Sequence, residues 1–393
     1  MKTVIILGSP NSIHTLNFIN TILINKKQKY DITIFSTINE KSLKDEFAVY
    51  YKENNVKIID AELIPKFKNK KINVFTNLII KQYYLKKYLK KSKKTIDYCF
   101  ILYFSWQDAV WINKLHSHFQ NIIAVFWGSD VLRNKRLNKR FFIKALNKCE
   151  KIVFPNINTK NVFFEITRNK YNDNSYVIQY PKKMVNNFEL IRKNCNNNNI
   201  ENWKKLHSLP KDKKIIICGH EATREEQYEE MIEAISKCKK EVLKNCYFVF
   251  MMTYAPCEFH SYQTKIEELI KKNKINGIVK KEYIPYEDIL KLHIISDIHI
   301  TTIKTDAFSC FLQEEMLAGN IVIYGKWLKY YEIENDDFYA LPIESIHELT
   351  DTLNYAYTNF DECIKRSAIN IKGIKKIATE ENIYNEWESN ILK

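Results

Sequence analysis

The chain has 393 residues, 45% of them hydrophobic, which favours two domains of roughly 150–200 residues each. Its net charge of +15 favours an anionic partner such as nucleic acid, anionic lipid or a phosphate-bearing substrate, although this chain also has a general bias towards Lys, Asn and Ile. No apolar run reaches the ~20 residues of a membrane span, and Met1–Gly8 resembles a strand more than a signal peptide. The nine cysteines are scattered, without the CxxC pair of a zinc site or the pattern of a disulfide framework. We therefore expect a cytoplasmic protein with reduced thiols.

In the first half of the chain, short β-rich runs alternate with segments of helical period. This alternation predicts βαβ units with parallel sheets, that is, an α/β fold. The predicted strands are Val4–Leu7, Asp31–Ser36, Val56–Ile59, Cys99–Tyr103, Ile122–Phe126, Lys151–Phe154 and Tyr176–Ile178. The first βα turn, Gly8–His14, has a single glycine, so it is not a dinucleotide-binding fingerprint.

The segment Lys81–Lys94 interleaves tyrosines and leucines with lysines at near-helical spacing. Such a helix suits an anionic bilayer surface, with Tyr and Leu pointing inward and Lys towards the headgroups. A solvated basic helix that packs on the protein through its Tyr and Leu residues has the same pattern. Both interpretations remain open at this stage.

The asparagine-rich stretch Asn194–Asn199 predicts a linker, which we extend over residues 194–210. A second α/β series follows. Its predicted strands are Lys214–Cys218, Tyr247–Thr253, Ile278–Lys280, Asp297–Thr301 and Ile321–Tyr324. Its predicted helices lie near Glu225–Lys237, Gln263–Lys272, Tyr286–Ile294 and Phe308–Ala318.

The segment Asp306–Gly319 carries the most information about chemistry. A strand leads into a short turn that opens a helix, so a helix N-terminus is expected at the carboxyl edge of a parallel sheet, where phosphates bind. Ser309 is a candidate helix cap or phosphate donor, and the backbone N–H groups of Phe308 and Ser309 are candidates for the same anion. The alternative is an ordinary amphipathic helix with solvated Glu314 and Glu315.

This segment resembles the donor-site motif of GT-B glycosyltransferases, especially retaining family 4. The family pattern is E-G-F-G, a short apolar stretch, and E-A-M-A-x-G-x-P-V. The first Glu, the Phe, the second Gly, the second Glu, the Met and the later Gly of this pattern correspond in this chain to Asp306, Phe308, Ser309, Glu314, Met316 and Gly319. Here Asp replaces the first Glu, both early glycines are replaced, and the Pro is absent. The resemblance implies two Rossmann-like domains facing across a cleft, with a C-terminal helix that returns to the N-terminal domain.

The same resemblance implies roles for the donor-side residues. Asp306 faces the transferred sugar as a catalytic residue, and Glu314 binds the ribose hydroxyls. Where the family has Gly-Arg and a later Lys for the diphosphate, this chain has Gly219 and His220, then Arg224. Arg224 is the leading candidate for the diphosphate, and an exposed Arg at a helix start is the alternative. A related possibility is a bacterial transferase that moves 4-acetamido-4,6-dideoxygalactose onto a lipid carrier. Such enzymes use a different loop at this position.

On the acceptor side, Trp127–Val131 resembles the family's H-G-S-D-(V/I) turn, with Trp127 at the His position. Gly128 permits close backbone approach, and Asp130 either caps the next helix or contacts a sugar hydroxyl. Asn11, Ser12 and His14 are expected near the acceptor, although a lone His is often structural. An inverting enzyme needs a base, for which His14 and Asp130 are the candidates, whereas a retaining enzyme needs no strong base.

Together these features predict a glycosyltransferase that moves a sugar from a nucleotide-diphosphate sugar to a bacterial surface-glycan or lipid-linked acceptor. We expect no cofactor and no metal, and a location in the cytoplasm, peripherally on the inner membrane face. Predicted domains are 1–193 (acceptor side), 194–210 (linker), 211–376 (nucleotide sugar) and 377–393 (returning helix). The alternatives are a sugar-nucleotide epimerase of the same fold and a basic nucleic-acid-binding protein, although no nucleic-acid module is recognisable.

Overall fold

The computed structural model describes residues 1–24, 29–36, 43–59, 70–91, 95–134, 137–168, 170–195, 197–253 and 259–392. They form two compact units. The N-terminal unit comprises Met1–Lys183 together with Glu380–Lys393, and the C-terminal unit comprises Met184–Thr379. In these described ranges, no helix is both long and apolar enough to cross a membrane.

The N-terminal unit is built on a sheet of seven parallel strands. They are β1 (Lys2–Gly8), β2 (Tyr30–Ser36), β3 (Lys57–Ile59), β4 (Ile96–Leu102), β5 (Phe119–Val125), β6 (Lys151–Phe154) and β7 (Ser175–Val177). Their order in space is β3-β2-β1-β4-β5-β6-β7. Each of these strands overlaps one of the seven predicted from the sequence.

The C-terminal unit has a parallel sheet of six strands. They are β8 (Lys214–Cys218), β9 (Cys246–Met251), β10 (Gly277–Lys280), β11 (Ile298–Thr301), β12 (Ile321–Gly325) and β13 (Leu341–Ile343). Their order, β10-β9-β8-β11-β12-β13, repeats the Rossmann-like order of the first sheet. The short edge strand β13 was not predicted because it has three residues and contains Pro342.

Helices connect the strands in both units. Those of the N-terminal unit are α1 (Ile13–Phe18), α2 (Asp45–Glu53), α3 (Lys70–Lys91), α4 (Trp106–Leu115), α5 (Ser129–Leu132), α6 (Arg140–Leu146) and α7 (Ile157–Thr167). Those of the C-terminal unit are α8 (Met184–Asn194), α9 (Asn197–Leu206), α10 (Tyr228–Ser236), α11 (Lys240–Asn245), α12 (His260–Lys272), α13 (Tyr286–Ile295), α14 (Cys310–Ala318), α15 (Leu349–Thr358), α16 (Phe360–Ser367) and α17 (Ile369–Ala378). The last helix is α18 (Glu380–Asn390).

Both faces of each sheet are buried, as a parallel sheet requires. In β1, Ile5 and Leu7 belong to one apolar cluster, whereas Val4 and Ile6 belong to the cluster on the opposite face. This alternation explains why the strands are continuous apolar runs in the sequence.

Helix α18 returns to the N-terminal unit, as the fold class predicted. The ring of Trp387 is fully buried, with its centroid 5.2 Å from that of Phe18 and 6.3 Å from that of Phe100. The hydroxyl of Tyr98 donates to the carbonyl of Leu392 at 2.9 Å. Aromatic packing of this kind is worth ~1 kcal/mol per pair beyond burial of area.

The segment expected to be a linker, residues 194–210, contains helix α9 and belongs to the C-terminal unit. Trp203 provides the reason, because its side chain packs against a buried apolar cluster and its Nε1–H donates to Asp288 at 2.9 Å. The unit boundary lies between Lys183 and Met184 instead of near residue 193. The asparagine-rich stretch therefore leads into helix α9, which Trp203 anchors, and does not form a linker.

Candidate functional site

The strand order of each sheet indicates where a ligand is expected to bind. The chain adds strands first on one side and then on the other, and the change occurs between β1 and β4 in one unit and between β8 and β11 in the other. Ligands bind outside the carboxyl ends of strands at such a switch point. The predicted donor residues follow β8 and β11, and the predicted acceptor-side residues follow β1 and β5.

Gly219 follows β8 directly and has a φ of +62°. A Cβ atom there would stand 2.4 Å from the hydroxyl oxygen of Tyr228, so only glycine fits. Its N–H donates to the carbonyl of Ile300 at 2.9 Å, which ties this turn to β11. The predicted donor-binding residue therefore also fixes the shape of the loop.

The imidazole of His220 is held by a buried carboxylate. One oxygen of Glu226 lies 2.9 Å from His220 Nδ1 and accepts the backbone N–H groups of His220 and Glu221 at 3.1 Å. Burial alone would lower the pKa of His220, but the Glu226 carboxylate raises it to about 9. A cation thus stands where the family pattern has Arg. Glu226 was not predicted from the sequence, where its only signal is an acid in the region where the family pattern has its later Lys.

Arg224 is placed differently from the prediction. Its guanidinium lies 4.7 Å from the ring centroid of Tyr262 and 3.3 Å from Glu229, and its side chain is 65% exposed. A 3₁₀ turn over Arg224–Glu226 directs Glu226 inward and Arg224 outward. These contacts favour the alternative reading of Arg224 as an exposed side chain, and they leave His220 as the better candidate for the diphosphate.

Asp306 organises the turn before helix α14. Its Oδ2 accepts the Ser309 N–H at 2.8 Å and the Tyr330 hydroxyl at 2.7 Å. Ser309 Oγ accepts the Leu312 N–H at 3.4 Å, so Ser309 caps the helix. The Ser309 N–H is therefore engaged by Asp306, which contradicts its predicted role as an anion donor.

Phe308 does not offer its ring to a ligand. The ring is buried, with its centroid 5.5 Å from that of Tyr330, and the residue has a left-handed φ of +59°. A non-glycine residue in this region costs of the order of 1 kcal/mol, so the buried ring must hold the turn in place. Phe308 shapes the donor loop from inside.

The loops that follow β8 and β11 are hydrogen-bonded to each other. The Lys304 N–H donates to the Glu225 carbonyl at 2.8 Å, and Thr302 Oγ1 donates to the Glu226 carbonyl at 2.9 Å. The Gln227 side-chain amide donates to the Thr302 carbonyl. These hydrogen bonds therefore link the loop that carries His220 to the loop that carries Asp306.

Glu314 and Glu315 are both buried, so the alternative of a solvated helix face is wrong. Glu314 Oε1 accepts the hydroxyl of Tyr286 at 2.6 Å, and Oε2 lies 3.2 Å from His293 Nε2. Glu315 Oε1 lies 2.6 Å from His293 Nδ1. Burial would lower the pKa of His293, but the two carboxylates raise it to about 9.

The ring of Phe311, in the first turn of α14, adjoins three imidazoles. Its centroid lies 4.5 Å from that of His293, 5.5 Å from His299 and 5.8 Å from His220. Burial lowers the pKa of His299 to about 4, so this ring is neutral at pH 7. Sequence reasoning missed His293, His299 and Phe311, although Glu315, an acid in a buried helix, signals that a buried partner exists.

The C-terminal edge can therefore bind two kinds of chemical group. Protonated His220 and the N-terminus of α14 suit phosphate oxygens, and the carboxylates of Asp306 and Glu314 suit hydroxyl groups. Among the residues described above, no group of three or more His, Cys, Asp or Glu side chains is arranged to hold a metal ion.

At the N-terminal edge, Asp130 is buried beneath the turn that follows β5. Its carboxylate accepts the N–H groups of Trp127 at 2.9 Å, Gly128 at 3.0 Å and Phe104 at 3.1 Å. Burial raises its pKa to about 7. Both carboxylate oxygens are engaged by backbone, which favours the structural role of Asp130 over that of a base. Gly128 has a φ of +112°, which the turn requires.

The polar residues after β1 mostly hold their own loop. Ser12 caps α1 by accepting the N–H of His14 at 3.2 Å, and Asn11 Oδ1 accepts the N–H of Lys44 at 2.9 Å. His14 keeps an exposed surface. Desolvation where the ring packs against Trp127 and Tyr180, followed by the ammonium group of Lys182, lowers the pKa of His14 below its ordinary value.

The basic helix α3 packs through its apolar face. Leu85 and Leu89 are buried in the core, and the Tyr88 hydroxyl lies 2.9 Å from Thr33 Oγ1. The structure therefore favours the alternative of a basic helix that packs on the protein, because these three side chains already have partners in the N-terminal unit. Among the side chains of this helix that the structure describes, four lysines are exposed: Lys86, Lys87, Lys90 and Lys91. Residues 92–94 of the predicted segment lie outside the described ranges.

Comparison with known structures shows the same fold over the entire chain. The Anabaena protein Alr3699/HepE, solved in complex with UDP, superposes with a TM-score of 0.74 at 11% identity, covering 100% of both chains. A glycosyltransferase from Rickettsia africae gives a TM-score of 0.71 at 14% identity, covering 99% of this chain and 97% of that one. Sucrose-phosphate synthase from Thermosynechococcus elongatus gives 0.73 at 9% identity, covering 99% and 98%.

The fold is therefore GT-B, as the donor-site resemblance implied. Residues 199–375, which include all the donor-side residues above, match the family of glycosyl transferases group 1. The C-terminal unit thus carries a group 1 domain, and the protein is a glycosyltransferase. None of the curated protein sequences matches this chain.

Proposed function

We propose that this glycosyltransferase takes a sugar from a nucleotide-diphosphate sugar bound by the C-terminal unit and transfers it to a bacterial surface-glycan or lipid-linked acceptor. The protonated His220, fixed by buried Glu226 at the switch point beside α14, carries this proposal. Negative charge grows on the diphosphate as it leaves, and a cation with a helix N-terminus stabilises that charge. The UDP bound by the Anabaena neighbour agrees with a nucleotide donor.

In this proposal Glu314 accepts hydroxyl groups of the nucleotide ribose. The Tyr286 hydroxyl, which now donates to Glu314, belongs to a side chain that is 43% exposed, so it can give way to a ligand. Asp306 faces the transferred sugar with the carboxylate oxygen that the Ser309 and Tyr330 hydrogen bonds leave open. For an inverting reaction, His14 is the candidate base that remains, because both Asp130 oxygens are engaged by backbone N–H groups.

We propose that transfer proceeds without a metal or a cofactor, since His220 supplies the charge that a divalent cation would otherwise supply. The test is turnover with a nucleotide sugar before and after exhaustive treatment with EDTA. Unchanged turnover is expected. Loss of activity that magnesium or manganese restores would contradict the metal-free mechanism and leave the transferase assignment intact.

The substrate itself is best identified by a donor screen. Saturation-transfer NMR against common nucleotide sugars should show contact through the nucleotide ribose and base. The matched control is His220→Asn, which should bind the same nucleotide sugar about tenfold or more weakly, because a hydrogen bond to a charged group is lost. Failure of every nucleotide sugar to bind the wild-type protein would reject the proposed donor class.

Peripheral membrane association is proposed on charge alone. The four exposed lysines of α3 should attract anionic vesicles, and the attraction should fall with salt because the Debye length is ~8 Å at physiological ionic strength. Replacing all four lysines with Gln should reduce co-sedimentation. Equal sedimentation of wild type and variant would reject the role of this helix.

A further inference from the structure

A buried network of charges in the C-terminal unit includes the carboxylate proposed for the ribose. Glu314 and Glu315 are consecutive residues of α14, and both are buried. His293, on α13, is fully buried as well, with Nε2 3.2 Å from Glu314 Oε2 and Nδ1 2.6 Å from Glu315 Oε1. One imidazole therefore lies between two carboxylates, and we call these three side chains the His293 bridge.

The inner end of the His293 bridge is fixed by further hydrogen bonds. Glu315 Oε2 accepts the hydroxyl of Ser296 at 3.1 Å and the side-chain amide of Asn320. The same amide donates to the His293 carbonyl at 2.8 Å, so it holds both the backbone of the histidine and its carboxylate partner. Because all of these residues are buried, the imidazole has little freedom to turn.

The outer end of the bridge already accepts a hydroxyl group. Glu314 Oε1 accepts the hydroxyl of Tyr286 at 2.6 Å, and Tyr286 is 43% exposed. The two oxygens of this carboxylate thus have different partners, the imidazole at Oε2 and a hydroxyl donor at Oε1. A ribose hydroxyl in the place of the tyrosine would meet an acceptor that is already oriented, which lowers the entropy cost of binding.

Stability alone does not account for the His293 bridge. Removing charges from water costs free energy that the attraction between buried charges often fails to offset, and well-packed apolar side chains can stabilise a core equally well. The related pattern E-A-M-A has Ala where this chain has Glu315, so the helix does not require an acid there. Although burial lowers the pKa of His293, Glu315 and Glu314 raise it to about 9, which favours the charged imidazole.

We propose that His293 is a positioning residue for the donor, which holds Glu314 Oε2 from inside the unit so that Oε1 accepts the ribose hydroxyls. This inference rests on the proposed function and extends it, because it adds a residue that acts on the donor through another side chain. It makes a specific claim about binding. His293 affects the contribution of the ribose hydroxyls, and not that of the base or the diphosphate.

The test compares nucleotides with and without ribose hydroxyls: UDP and GDP, each against its 2′,3′-dideoxy form, by calorimetry with the full-length protein. The wild type should bind its preferred nucleotide about 10- to 100-fold more tightly than the dideoxy form, because the dideoxy form lacks hydrogen bonds to a charged group. In His293→Phe, which keeps a planar ring, this ratio should fall below about threefold. A role in folding alone would weaken both nucleotides equally and leave the ratio unchanged.

The matched control is His299→Phe. His299 is also buried and its ring also adjoins Phe311, but its Nδ1 lies 4.0 Å from Glu315 Oε1, on the inner end of the bridge. The ratio should stay near the wild-type value in this control. If His293→Phe does not fold, the double variant His293→Phe/Glu315→Ala takes its place, because it leaves no carboxylate at position 315 without a partner. Its ratio should also fall below about threefold.

The inference is overturned if His293→Phe, or the double variant in its place, keeps the wild-type ratio. It is also overturned if the wild type binds both forms of a nucleotide equally, a result that would remove Glu314 from the ribose and leave the nucleotide donor intact. A wild-type protein that binds no nucleotide at all would reject the proposed donor class and this inference with it.

Discussion

The two sheets share one strand order, yet their carboxyl edges have different chemistry. At the N-terminal edge, aromatic rings surround Trp127, and the buried carboxylate of Asp130 bonds to backbone N–H groups. At the C-terminal edge, buried charges are paired, His220 with Glu226 and His293 with two glutamates. Topology thus determines where each unit binds, and the residues in the loops determine what it binds.

The largest effect is expected when the buried acceptor of the N-terminal edge, Asp130, is removed. Asp130→Ala leaves three backbone N–H groups without their carboxylate, which should lower the free energy of unfolding by about 3 kcal/mol or more. Urea denaturation monitored by circular dichroism measures this loss. Asp130→Asn retains an acceptor oxygen and should lose less. A stable Asp130→Ala variant would show that the turn does not depend on this residue.

The next effect concerns the charged edge. Glu314→Gln removes a carboxylate from the proposed ribose site and should weaken nucleotide-sugar binding about 10- to 100-fold. Because Glu314 is buried, its truncation to Ala would also cost stability, so Gln is the cleaner change. Calorimetry with UDP-sugar measures affinity, and Glu287→Gln, on the exposed side of α13, is the matched control. Equal affinity in wild type and Glu314→Gln would remove Glu314 from the site.

Donor binding at the charged edge should depend on pH. The raised pKa of His220 means that its charge is fully present below its ordinary value of 6.5 and is lost as pH rises through about 9. Donor affinity should fall about tenfold across that upper transition. In Glu226→Gln the fall should move to lower pH. Calorimetric titrations of UDP across this range test it, and a flat profile would exclude His220 as the diphosphate cation.

The smallest effect is expected for Arg224→Ala. An exposed pair of this kind contributes ~0–1 kcal/mol, so donor affinity and turnover should change less than about fivefold. Steady-state kinetics with the preferred nucleotide sugar provides the measurement. A loss as large as that of His220→Asn would mean that Arg224 leaves Tyr262 to bind the diphosphate, as its position in the sequence first indicated.

Local patterns were sufficient for much of this fold. Apolar runs located twelve of the strands, and the spacing of Asp306 and Glu314 located the donor loop. Pairings between distant segments were not accessible in the same way, because Glu315 and its partner His293 are 22 residues apart and lie in different helices. Residue type alone also led to the prediction that Arg224 faces the diphosphate. A single 3₁₀ turn over Arg224–Glu226 instead directs Glu226 inward and leaves Arg224 exposed.

The return of α18 brings Leu392 and Lys2 to one residue, Tyr98. Lys2 Nζ lies 3.1 Å from the Tyr98 hydroxyl, which in turn donates to the carbonyl of Leu392 at 2.9 Å. A short peptide joining Leu392 to Lys2, with new termini opened between Lys183 and Met184, would make each unit continuous in sequence. In the natural order, by contrast, a ribosome must synthesise the entire C-terminal unit before Trp387 can cover the face formed by Phe18, so the unit that begins first is completed last.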